Sequence, residues 1–182
     1  MAKNRVLEVP KKGTRPTSER VREALFSRLE HWGYIDGATV ADLYAGSGAL
    51  GLEAASRGAA AVVCVEAYAP AAKLIARNAR ATGLAAVTTV NKKVESYLDV
   101  APGALPRFDL ALVDPPYDLS QAQLARALEL LSSHLAADGI VVVERSTRSP
   151  EPAWPAGLNL IDQRKMGDTM LWTAQCAESL VS

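Results

Sequence analysis

The stretch Phe108-Asp109-Leu110-Ala111-Leu112-Val113-Asp114-Pro115-Pro116-Tyr117 reads as a buried strand that runs out into a carboxylate, two prolines and an aromatic ring. In an open α/β sheet the C-terminal edge of a strand is where ligands bind. Each proline fixes its own φ, removes a backbone donor and pushes the residue before it to extended geometry. The loop is therefore stiff, and its carbonyls lack local N–H partners. Such a loop suits a flat heterocycle with an amino group. The amine donates to Asp114 and to a carbonyl, and the heterocycle stacks on Tyr117. A tight turn after a strand uses the same prolines, so the rest of the chain decides between the two.

Outward from this stretch, strands expected at residues 39–44, 60–65, 86–91, 108–113 and 139–144 alternate with helices at 49–57, 70–82, 94–98 and 120–135. Strands alternating with helices give a parallel sheet covered on both faces. Two further strand-like runs, 158–165 and 169–175, are separated only by Met166-Gly167-Asp168 and should pair as an antiparallel hairpin at the sheet edge. Ahead of the first strand, Thr17 or Ser18 caps a helix that runs to about Trp32. Its apolar face is Val21, Leu25, Phe26 and Leu29, with Arg20 and Arg22 pointing away. Residues 1–17 read as a basic extension, with a short strand at 5–9 and a turn at 10–13, and residues 18–182 as one domain.

The length of 182 residues suits a single α/β domain with a sizeable core. No apolar run is long enough to span a membrane and no signal peptide is visible, so a cytoplasmic protein is expected. Cys64 and Cys176 lie in strand-like runs without metal-ligand spacing and read as small buried hydrophobes. His31 and His134 fall in helical segments and read as structural or surface residues, and no metal site is expected. Net charge is zero, but residues 1–30 carry a surplus of four positive charges. A basic patch on a neutral protein is compatible with phosphate contact.

The first strand leads into Asp42-Leu43-Tyr44-Ala45-Gly46-Ser47-Gly48-Ala49-Leu50-Gly51. Glycines at 46 and 48 let the backbone turn tightly against a ligand, and the helix behind presents free N–H groups. Glu66, at the end of the second strand, is placed to take both hydroxyls of a ribose. This spacing also fits a nicotinamide or flavin site. Asp42 discriminates, because a carboxylate there repels a pyrophosphate and suits a cofactor with a sulfonium and an ammonium group. A helix-capping role is the other reading of Asp42.

Asp42-x-x-x-Gly46-x-Gly48 together with Asp114-Pro115-Pro116-Tyr117 resembles a Rossmann-like methyltransferase acting on exocyclic amines of nucleobases. Three stretches narrow the resemblance to the RsmD family. They are Thr14-Arg15-Pro16-Thr17-Ser18-Glu19-Arg20-Val21-Arg22-Glu23-Ala24-Leu25-Phe26, the run from Tyr44 to Ala54, and Lys165-Met166-Gly167-Asp168-Thr169. The resemblance implies a class I fold dependent on S-adenosylmethionine: a seven-stranded, mostly parallel sheet with an antiparallel C-terminal hairpin and helices on both faces. It implies methylation of N2 of one guanine, guanine 966, in 16S rRNA of the small ribosomal subunit or its assembly intermediate. No DNA or membrane partner is expected, and a monomer is the default.

The residue roles implied are as follows. Asp114, Pro115, Pro116 and Tyr117 are catalytic. The cofactor is held by Asp42, Tyr44, Ala45, Gly46, Ser47, Gly48, Glu66, Ala67, Val94, Asp114 and Thr17. Within that set Asp42 meets the ammonium through water and Glu66 the ribose. RNA is met by Lys11, Lys12, Arg15, Arg20, Arg22 and Lys165, with Lys165 and Thr169 closing the base pocket. Two stretches depart from the pattern. Met1 to Arg5 do not match the Arg-Ile-Ile-Gly-Gly type strand of the family. Asn91-Lys92-Lys93-Val94 offers no acid for the adenine amine, which leaves that contact to Asn91 or a backbone group. A DNA adenine-N6 methyltransferase shares the Asp-Pro-Pro-Tyr loop, but 182 residues leave no room for its usual target-recognition domain. A non-catalytic RNA-binding assembly module is opposed by the intact Asp42 and Asp114, and a nicotinamide oxidoreductase by Asp42.

Overall fold

The computed structural model describes residues 18–177. The expected strand at 5–9 and turn at 10–13 lie outside them, as do Lys11, Lys12, Arg15 and Thr17. The elements run α1 (Glu19–His31), β1 (Thr39–Leu43), α2 (Ala49–Ser56), β2 (Ala61–Val65), α3 (Ala69–Thr82) and β3 (Val87–Val90). There follow α4 (Val94–Leu98), β4 (Phe108–Val113), α5 (Gln121–Ser132), β5 (Leu135–Ser146), β6 (Leu158–Met166) and β7 (Thr169–Cys176). One sheet takes the order β3-β2-β1-β4-β5-β7-β6. Strands β1 to β5 pair in parallel, and β7 is antiparallel to both β5 and β6. This is the class I Rossmann-like methyltransferase fold with its C-terminal hairpin.

Order reverses between β1 and β4, so their C-terminal ends flank a crevice. The two stretches singled out in the sequence, after Leu43 and after Val113, both open onto it. The sheet is buried on both faces. On one side Phe26, Leu29 and Ile75 pack on Val40, Leu110, Leu112 and Val142. On the other Leu124, Leu128 and Leu131 pack on Ala111, Val113, Val141 and Val143. Each such large side chain contributes roughly 1.5–3 kcal/mol relative to exposure. Ser18, rather than Thr17, is the α1 cap; its hydroxyl accepts from Val21 N–H at 3.3 Å. Arg57, at the end of α2, donates to Glu53 at 2.7 Å and Glu23 at 2.8 Å and pairs with Glu30 at 3.1 Å. It thereby ties α2 to α1.

Three expectations need correction. Helix α5 ends at Ser132, and β5 starts at Leu135 instead of 139. Gly139 explains the early start: the chain passes Phe108 so closely that an added Cβ would sit 2.8 Å from its carbonyl oxygen. His134 lies after the helix, not in it, and is buried with its Nε2 at 2.9 Å from the Leu98 carbonyl oxygen. Cys176 ends the edge-proximal strand β7 and is only half-buried, unlike the fully buried Cys64. No helix among the described residues is long and apolar enough to cross a membrane.

Candidate active site

A cleft of about 210 Å³ opens at the crevice between β1 and β4. Asp42, Tyr44, Ala45, Gly46 and Ser47 line it from the first loop, and Glu66 and Ala67 from the end of β2. Val94 of α4 closes one side, and Asp114 and Pro116 close the floor from β4. Three lining residues are additions to the sequence reading: Ala49, Leu50 and Lys93. The first two open the helix behind the glycine loop. Lys93 was legible as the residue before Val94, at the same strand end.

Asp42 takes the helix-capping role read for it and also faces the cleft. Its side chain is buried, and Oδ2 accepts from the Gly51 N–H at 2.9 Å, in the first turn of α2. Helix N-termini favour a carboxylate there. The same side chain lines the cleft. Burial pushes its carboxyl well above the usual range; the Gly51 hydrogen bond opposes this, and the charges of Asp114 and Glu66 add to it. Gathering three acids in one cleft, with Asp42 buried among them, favours the arrival of a cation.

Glu66 is the hinge pin of the glycine loop. One oxygen accepts from Gly46 N–H at 2.9 Å, the other from Tyr68 N–H at 2.7 Å. A carboxylate has about four acceptor positions, so capacity remains for ribose hydroxyls. Asn91 is spent elsewhere: its Nδ2 donates to the Glu66 and Ala67 carbonyls at 2.9 and 3.0 Å, outside the cleft. It braces the end of β2 that carries Glu66 and does not line the cleft, where the adenine contact is expected of it or of a backbone group. Tyr44 has φ +59°, unusual for a bulky residue. Its hydroxyl donates to Glu95 at 3.1 Å, and burial, with Glu95 beside it, pushes its pKa up. Backbone strain of this kind clusters at functional sites.

Gly48 does not line the cleft. It caps α2 with φ +79°, its N–H donates to the Ala45 carbonyl at 2.8 Å, and an added Cβ would meet Ile75 at 2.8 Å. Its part is to bring loop and helix together. Pro115 is buried behind Pro116, while Tyr117 stands 70% exposed at the mouth. Arg20 is exposed and Arg22 half-buried on α1. Lys165 is exposed near the C-terminal end of β6, beside half-buried Thr169. Because β6 runs in the same direction as β5, that end lies at the sheet edge that carries the cleft.

Among the described residues that line the cleft, Asp42, Glu66 and Asp114 are acids and Lys93 is the one cation. This set fits a cationic cofactor and is poorly suited to a pyrophosphate. Comparison with known proteins agrees. A family model described as "Conserved hypothetical protein 95" matches residues 1–175. Ribosomal RNA small subunit methyltransferase D of Escherichia coli K12 is 33% identical over 168 residues, covering 91% of this chain and 81% of that protein. The protein of the same description from Haemophilus influenzae is 31% identical over 140 residues, covering 76% and 71%. Among solved structures, Escherichia coli yhhF superposes with a TM-score of 0.81 at 30% identity, over 93% of this chain and 90% of that one.

Proposed function

The chain belongs to the RsmD-like family of rRNA methyltransferases, and from that premise we propose that it methylates the exocyclic N2 of one guanine, guanine 966, in 16S rRNA. The observation that carries the reaction class is the meeting of two loops in one cleft: an acid-lined glycine loop, and Asp114-Pro115-Pro116 with Tyr117 exposed at its mouth. When bound, S-adenosylmethionine supplies a methyl group activated on a sulfonium. The chain's own residues do the rest. Asp42 and Glu66 offer carboxylates for its ammonium and ribose. Asp114 and a loop carbonyl accept the two N–H bonds of the guanine amine and orient its lone pair. Placement of this kind supplies roughly 7–11 kcal/mol in favourable cases. The Asp114 carboxylate also offsets positive charge growing on the nitrogen. A strong base is not needed, because the methylated ammonium is acidic and passes its proton late to solvent water. Tyr117 gives the turned-out base a ring to stack on.

The partner is the small subunit or its assembly intermediate, and the protein works in the cytoplasm as a monomer. Arg20, Arg22 and Lys165, with Lys11, Lys12 and Arg15, meet phosphates. A neutral chain with so small a basic surplus holds bare RNA modestly, so ribosomal proteins complete the binding surface. The test offers labelled S-adenosylmethionine with unmethylated small subunits, naked 16S RNA and plasmid DNA. Label in guanine, faster on subunits than on naked RNA, is expected. Equal rates on the two RNAs would remove the ribosomal-protein contribution, and label in DNA adenine would replace the reading.

A further inference from the structure

We propose that Arg145 is a positioning residue for the transfer, gripping the loop after Asp114 by its carbonyls and so fixing where the amine and Tyr117 sit, a role that depends on the function proposed above. The two prolines make this loop stiff but also strip it of two backbone donors. With those two donors gone, carbonyls carry more of the loop's anchoring, which suits a donor-only side chain from outside. Arginine is that side chain, with five N–H groups in a fixed fork. Arg145 is the penultimate residue of β5 and is 7% exposed. Because Val143 pairs with Val113, Arg145 emerges two residues further along, at the edge from which the loop departs.

One terminal nitrogen donates to the Leu119 carbonyl at 3.0 Å and the other to the Pro116 carbonyl at 3.4 Å. Leu119 N–H also donates to the Pro116 carbonyl at 3.1 Å, closing the turn that carries Tyr117. The fork therefore holds both ends of that turn, and Tyr117 projects between them. A guanidinium is expensive to bury, and methionine would fill the same apolar face without that cost. The two carbonyl contacts give the buried charge a role as an anchor of the loop.

The experiment compares the parent with Arg145→Met and Arg145→Lys by single-turnover methylation, cofactor binding and amide hydrogen exchange. For Arg145→Met the rate should fall about 100-fold, as displacement by an ångström does, while cofactor affinity stays within about twofold. Exchange of the Leu119 amide should quicken while the amides of β4 stay protected. Lysine, with donors at one point, should restore the rate in part. A methionine variant within about threefold of the parent rate, with Leu119 still protected, would overturn the role. Should the methionine variant fail to fold, the lysine variant decides: an intermediate rate supports the grip and a parental rate refutes it. A parent that is inactive on every RNA would instead contradict the proposed function, and Leu119 exchange would still decide whether Arg145 holds the loop.

Discussion

Asp42 is asked to cap a helix and to receive a cation, and the two demands can be separated. Its folded-state pKa is raised, so the folded protein holds a proton that the unfolded chain, near 3.8, has already released. Apo stability therefore falls as pH rises from about that value through the folded pKa, and is flat above it. Cofactor affinity runs the other way over the same window, since the cation prefers the ionised acid. Asp42→Asn keeps an acceptor for Gly51 and removes the buried charge. The apo protein should melt a few degrees higher, at about 2–4 °C per kcal/mol, while cofactor binding weakens by about tenfold or more. Thermal scans and calorimetric titration check both halves. Tyr117, exposed to 70%, should lose function with no change in stability. Tyr117→Ala should leave stability within about 0.5 kcal/mol. It should weaken RNA turnover by the worth of one stacked base, about 1–3 kcal/mol, which Phe retains. Steady-state kinetics alongside melting curves would read this.

At the scale of elements, α2 is pressed onto the sheet at Gly51, where an added Cβ would lie 2.5 Å from Cys64 Sγ and 3.0 Å from Asp42 Oδ2. Gly51→Ala should cost about 1–3 kcal/mol by overpacking, and Cys64→Ala in the same chain should recover part of it, a coupling that denaturant titration of the four proteins measures. Both strands that carry the site were legible in the sequence, because buried parallel strands are continuous apolar runs ending in residues that cannot continue them. The Asp-Pro-Pro-Tyr loop and the glycine loop announce themselves by composition. What was not legible depends on contacts distant in sequence. The start of β5 turns on how closely Gly139 passes Phe108. The part of Gly48 turns on Ile75, and the diversion of Asn91 on two carbonyls of the neighbouring strand end. Arg145 looks in the sequence like an ordinary polar residue ending a strand, and only the fold brings it under a loop 26 residues upstream.

For the molecule as a whole, the sheet order converts two separated motifs into one cleft with an acidic lining and an exposed aromatic at its mouth. The glycine loop and the Asp114-Pro115-Pro116-Tyr117 loop follow adjacent strands, which on the proposed function brings methyl donor and acceptor amine together. The central claim is that Asp114 holds the guanine amine for transfer. The measurement that tests it most directly is nucleoside analysis of unmethylated small subunits after incubation with labelled S-adenosylmethionine and either the parent or Asp114→Ala. N2-methylguanosine formed by the parent and slowed by about 100-fold or more in the variant is the predicted result. Label in a different nucleoside, or equal rates for the two proteins, would contradict it.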